Sequence, residues 1–303
     1  MPTKRLLSEA QRVRLAALPE MGHRELVRHY TLSEADLAAV SVRRGAANRL
    51  GFAAQLCLLR YPGRPLRQGE IVPQNVVEFV ANQVGAHPDA FREYAGGPEG
   101  AGRDTTRREH AAEIVGTFGF RPFDAPAYRE LSRWLQPIAE GTDSGEALVG
   151  ALLGEMRRRR IVALALSTTE RLAWETRRRA QGSVFRKLVA GLDGERLGRL
   201  DSLLSVPDGG DETPLNRVRR PPGPPSPKNF KDVLDRLNFV RSLELPDDAG
   251  SGVHYSRLTR LAREGAKTTP QHLRRFDPLR RRATLVAYLT QRSAELSDIA
   301  LET

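Results

Sequence analysis

The chain has 303 residues, with 48 Lys and Arg against 37 Asp and Glu, a formal net charge of +11 and a pI near 10.4. Such a field attracts polyanions, so nucleic acid and anionic membrane surfaces are the candidate partners; no apolar run approaches the roughly 20 residues that would cross a bilayer. The single cysteine, Cys57, excludes an intrachain disulfide framework, and the start, MPTKRLL, has no secretory core, so a cytoplasmic, nucleoid-associated protein is expected. Hydrophobic residues make up 40% and aromatics only 6%, with Leu, Ala, Arg and Glu prominent, which predicts an all-α chain of several small helical subdomains with modest cores.

A first helix is expected from about Ser8 to Leu18, ended by Pro19 and Gly22. His23 to Tyr30 places Leu26, Val27 and Tyr30 at helical spacing, and Thr31 with Glu34 forms a capping box ahead of Leu37, Val40 and Val42. Arg43 and Arg44 close that helix on Gly45. A third segment, Ala46 to Leu59, is apolar on the face of Phe52, Leu56 and Leu59, with Asn48 and Arg49 in its first turn. The three together read as a helix-turn-helix. Arg43 and Arg44 suit phosphate, while Asn48 and Arg49 carry the side chains that read adenine and guanine edges. From the residues alone a second account stays open, in which Arg-Arg-Gly merely ends one helix and Asn48 caps the next. Cys57, between Leu56 and Leu58, reads as a small buried hydrophobe.

Tyr61 to Pro65 predicts a turn, and after Pro73 a stripe of Val76, Val77, Phe79, Val80 and Val84 ends at Gly85. A short helix with Phe91 and Tyr94 follows, and Gly96, Gly97, Gly100 and Gly102 close a first subdomain, residues 1–98. A second, residues 103–206, opens with Thr105 and Thr106 capping a helix whose first turn holds Arg107, Arg108 and His110, a phosphate-binding arrangement like the first. Ala147 to Met156 runs into Arg157-Arg158-Arg159-Arg160, four arginines that spread round a helix and cannot share one surface; Arg158 and Arg159 are taken as phosphate contacts. Residues 207–227, with Pro221, Pro222, Pro224, Pro225 and Pro227, read as a semi-rigid spacer. The third segment, residues 228–303, repeats amphipathic helices and sets Arg257, Arg260 and Arg263 on one face, followed by Lys267 and His272, all candidate DNA contacts. Gly265-Ala266-Lys267-Thr268-Thr269 faintly echoes a phosphate loop but lacks its glycine spacing and adjacent Gly-Lys.

Stretches along the whole chain, among them LPEMGHRELVRHYTLSEADL, RRGAANRLGFAAQLCLLRYPGRPL, GEIVPQNVVEFVANQVG, TRREH, GFRPF, MRRRRIVAL, PPGPPSPKNF and LAREGAKTTPQHL, resemble the amino-terminal region of the Tn-three family of replicative bacterial transposases. The resemblance implies helical DNA-binding subdomains that hold double-stranded DNA at a transposon's terminal inverted repeats. It also implies that strand cleavage, with magnesium on three acidic residues, resides in an RNase H-like region that this chain stops short of. The chain itself shows no zinc spacing, no paired histidines and no nucleophile elbow, so no catalytic residue, no metal site and no cofactor is expected. Three functions stay open: the end-recognition part of a transposase, a free-standing repressor occupying the same ends, and a nuclease or strand transferase with unrecognised residues. A homodimer or a transposase catalytic segment would be the protein partner, with no membrane involved.

Overall fold

The structure, a computed structural model, describes residues 6–67, 69–95, 104–163, 165–224, 226–246 and 248–302. The glycine patch expected to end the first subdomain lies outside them. Among the described residues every regular element is a helix, sixteen in all, besides one isolated parallel bridge between Arg121 and Ile161, so the chain is all-α as expected. It forms two compact units, Met1–Leu135 with Ser144–Glu175, and Gln136–Asp143 with Thr176–Thr303.

Unit 1 holds α1 (Glu9–Ala16), α2 (His23–Tyr30), α3 (Glu34–Ser41), α4 (Ala46–Arg60), α5 (Gln74–Val84), α6 (Ala90–Ala95), α7 (Asp104–Thr117), the first part of α8 (Ala125–Gly141), α9 (Gly145–Arg158) and the start of α10 (Leu166–Val189). The centre is α4: Ala47 and every residue from Leu50 to Leu59 are buried, and α2, α3, α5, α6 and α7 pack around it. A helix apolar on all sides belongs in an interior. This corrects the expected narrow face of Phe52, Leu56 and Leu59. Two polar or small residues make the arrangement possible. At Gly51 a Cβ would fall 2.1 Å from the Tyr94 ring of α6, so only glycine admits that approach. Gln55, fully buried, donates from Nε2 to the Arg107 carbonyl at 3.1 Å and accepts the Leu66 N–H at 2.9 Å, so both ends of its amide are satisfied.

The expected capping box moves two residues. Ser33, not Thr31, caps α3: its hydroxyl accepts the Asp36 N–H at 3.3 Å and Asp36 accepts the Ser33 N–H at 2.7 Å. The Thr31 hydroxyl instead donates back to the Val27 carbonyl at 2.6 Å. With that shift only Val40 of the expected apolar positions is buried, while Leu37 and Val42 reach the surface. α7 brings Ile114 into the same core as α4, so the helix expected to open the second subdomain packs with the first.

Unit 2 holds the end of α8, most of α10, then α11 (Gly194–Ser202), α12 (Pro214–Arg219), α13 (Pro227–Arg241), α14 (Tyr255–Lys267), α15 (Pro270–Leu273) and α16 (Pro278–Glu302). α14 and α16 pack closely enough that a Cβ at Gly265 would sit 2.6 Å from Tyr288 Cβ and 3.0 Å from the Thr284 carbonyl. The stretch read as a spacer contains α12, capped by Thr213, and its Leu215 and Val218 are wholly buried. Arg292 donates to the Val218 and Arg220 carbonyls at 3.1 and 2.9 Å, and the buried Arg236 also donates to the Arg220 carbonyl, so the end of α12 is tied down by two guanidinium groups. The helix is legible only once its two apolar residues have a core to enter.

Candidate nucleic-acid interface

The turn between α3 and α4 carries the first group of expected contacts. Arg43 pairs bidentately with Glu113 and lies 4.4 Å over the Phe52 ring, which holds it against unit 1. Arg44 is exposed, and its carbonyl accepts from the Asn48 side chain at 3.0 Å. Arg49 is half-buried. Because α4 is covered from Leu50 onward, any base readout from this helix is confined to its first turn, and a recognition helix lying along a groove is not what the structure contains.

The first two turns of α7 (Asp104–Thr117) depart further from expectation. Arg107 is 3% exposed and donates to the Ala95 carbonyl. His110 is buried between Phe52 and Tyr94, with Nδ1 3.1 Å from the Tyr94 hydroxyl, and burial, followed by the Arg43 charge, pushes its pKa below the usual value. Only Arg108 of the three is exposed. Arg107 and His110 are therefore core residues, because the Ala95 carbonyl and the Tyr94 side chain offer their side chains partners inside.

The four-arginine run divides by spacing. Glu155, three and four residues before Arg158 and Arg159, takes both: Arg158 bonds it at 2.7 and 2.6 Å and Arg159 at 2.5 Å, and Arg159 also reaches Glu130. Bonds from Arg158 and then Arg159, against the opposing effect of burial, hold the Glu155 carboxyl at about 2. Arg157 and Arg160 point elsewhere. With Arg60, Phe118 and Phe120 they line a pocket in unit 1. The Arg157 guanidinium lies 4.7 Å over the Tyr61 ring, which also stacks on His29 at 4.4 Å and 9°. Arg160, in the left-handed region at φ 54°, donates to the Phe118 carbonyl at 3.3 Å. Arg60 is neutralised by Asp36, which it bonds at 2.8 and 2.7 Å. Among the described residues no carboxylate pairs with Arg157 or Arg160. The positive field is felt by His29, whose pKa is lowered by burial first and then by Arg28 and Arg157. Arg158 and Arg159, the two expected to meet phosphate, are thus both engaged by Glu155, at a spacing already present in the sequence.

In unit 2, Arg257 is buried. Its Nε donates to the Glu140 carbonyl at 3.1 Å, its Nη2 to those of Ala139 and Thr142 at 2.8 and 2.9 Å, and its Nη1 pairs with Asp143. It thus caps the carboxyl end of α8, where the dipole favours a cation, and leaves the expected stripe. Arg260 also pairs with Asp143, whereas Arg263, Lys267 and His272 are exposed. Gly265 to Lys267 form the last turn of α14, whose free groups are carbonyls rather than N–H donors, so that segment cannot cradle a phosphate as a loop does. Among the described residues no cluster of His, Cys, Asp and Glu could hold a metal ion, and no helix is long and apolar enough to cross a membrane.

An all-helical chain with this basic surface is similar across nearly its whole length to bacterial transposases. It is 39% identical over 298 residues to the transposase for transposon Tn21 of Escherichia coli, covering 98% of this chain and 30% of that protein. It is likewise 39% identical over 298 residues to the transposase for transposon Tn501 of Pseudomonas aeruginosa, with the same coverage. To the transposase for transposon gamma-delta of Escherichia coli K12 it is 30% identical over 281 residues, 92% of this chain and 27% of that one. The chain thus spans about 30% of the length of these relatives. Residues 6–176 match the family model described as a domain of unknown function, DUF4158, and the chain belongs to that family, as a homologue of the amino-terminal part of the Tn-three transposases.

Proposed function

We propose that the chain binds double-stranded DNA at the terminal inverted repeats of a transposon, as the end-recognition part of a transposase, and does not itself cut DNA. The observation that carries this reading is the pair Arg157 and Arg160, exposed cations that meet no carboxylate among the described residues, in a chain of net charge +11. Exposed arginines that no carboxylate among the described residues offsets set up a local positive potential, which supports a polyanion as the neighbour. Asn48 and Arg49, at the accessible start of α4, are the candidates for base readout; Arg44, Arg108, Arg157, Arg160, Arg263 and Lys267 are candidates for phosphate. The matches to relatives named as transposases support a transposon as the source of that DNA.

The test is fluorescence anisotropy with a duplex carrying the element's own terminal repeat and a scrambled duplex, at several salt concentrations. The repeat should bind more tightly, the affinity should fall linearly on a log–log salt plot, and Arg49→Ala should cost on the order of 1–3 kcal/mol on the repeat alone. Equal binding of both duplexes by the wild type would refute end recognition. Nicked product on incubation with magnesium or manganese would refute the non-cutting assignment.

A further inference from the structure

We propose that the pocket lined by Arg60, Phe118, Phe120, Arg157 and Arg160 holds one unstacked nucleotide of a frayed or single-stranded stretch of DNA, its phosphate on Arg157 and Arg160 and its base against the phenylalanine rings. The inference rests on the DNA-binding reading and goes beyond it, since gripping an intact duplex calls for no such site. Duplex phosphates protrude and are met by flat or convex basic surfaces, while the bases stay stacked inside. Here cations and aromatic rings line one concavity, which is the combination that single strands require: charge for the backbone and π-faces for exposed bases. Arg60 is cancelled by Asp36, which leaves Arg157 and Arg160 as the charges in the lining that no carboxylate among the described residues offsets.

The lining is also held in place before any ligand arrives. Phe118 and Phe120 are half-buried against the unit 1 core and flank Gly119, whose φ of 70° turns the chain out of α7. The Phe118 N–H bonds the Ile114 carbonyl at 2.9 Å and its own carbonyl is held by Arg160. Just beyond Phe120, Arg121 exchanges bonds of 2.8 and 2.9 Å with Arg160 and Val162, so the two rings and Arg160 sit on one fixed frame. Arg157 is oriented by the Tyr61 ring. Pre-ordering of this kind lowers the entropy lost on binding.

The full chain is tested by anisotropy against a blunt repeat duplex and the same duplex with a short single-stranded overhang, and by photocrosslinking of 5-iododeoxyuridine placed in the overhang. The overhang substrate should bind roughly tenfold more tightly than the blunt one, and the crosslink on the wild-type chain should map to the peptide holding Phe118 and Phe120. The double variant Phe118→Leu, Phe120→Leu, checked for an unchanged melting curve, should bring the two substrates to parity while leaving blunt-duplex affinity intact. Equal affinity for the two substrates, or crosslinks confined to other peptides, overturns the proposal while the duplex reading stands. If neither substrate binds, both fall. Displacement of the overhang by thymidine 5′-monophosphate as readily as by a single-stranded oligonucleotide would mean a small-molecule site and also overturn it.

Discussion

In unit 2, Arg257 gives its guanidinium to three backbone carbonyls at the end of α8 and to Asp143; in unit 1, Arg157, equally embedded in a basic stretch of sequence, lies over Tyr61 with no carboxylate partner among the described residues. Both looked like surface cations in a DNA-binding chain. The difference teaches that an arginine's task is set by what the fold places within its reach. A guanidinium has five donors in a rigid fork, and where carbonyls and a carboxylate converge it becomes scaffold. Where only aromatic faces are supplied, its charge remains available to a ligand.

This contrast can be broken in several places. The largest expected effect is that of Arg257→Ala, which leaves the end of α8 uncapped and Asp143 short of one buried partner, and should cost about 3–5 kcal/mol in urea denaturation. A loss under about 1 kcal/mol would show Arg257 to be no more structural than Arg157. Next, Gln55→Leu keeps the apolar volume at the heart of α4 but leaves the Leu66 N–H and the Arg107 carbonyl without their partner, and should destabilise the protein by about 2 kcal/mol without changing intrinsic DNA affinity.

Smaller effects sharpen it further. Arg157→Ala should leave stability within about 0.5 kcal/mol and reduce the salt slope of DNA binding by about 0.9. Arg159→Ala, a change to the Glu155 and Glu130 pairs, should show the reverse pattern, and equal slopes for the two would erase the distinction. The smallest effect is a pH response of unit 1. His110 and His29 are held below their ordinary value of 6.5, so the unfolded chain binds more protons and the neutral form contributes stability that is present above about pH 6.5 and lost as pH falls through the lowered folded value. The melting temperature should drop between about pH 7 and pH 5.5, and the drop should shrink in His110→Gln.

Much of the fold was legible because helices declare themselves locally. His23–Tyr30 and Gln74–Val84 lie where their apolar spacing and the Gly85 stop put them. The α3 cap slipped because two boxes compete within three residues, Thr31 with Glu34 and Ser33 with Asp36, and Arg60 draws Asp36 inward to favour the second. The site was half legible. Glu155 stands at the spacing that claims Arg158 and Arg159, which leaves Arg157 and Arg160 over. The burial of Arg107, His110 and Arg257 carried no local mark, since their partners are Ala95, Tyr94 and the carbonyls around Glu140.

By itself the amino-acid sequence determined the basic field, the helical segments and the resemblance to transposases, because charge, periodicity and motif are properties of neighbours in the chain. The tertiary structure decided which of the other arginines, Arg43 and Arg257 among them, are taken up by partners inside the fold. That choice depends on carboxylates and carbonyls brought from far along the chain, such as Glu113 to Arg43 and Ala139 to Arg257, and Coulomb attraction acts on distance in space rather than on sequence separation.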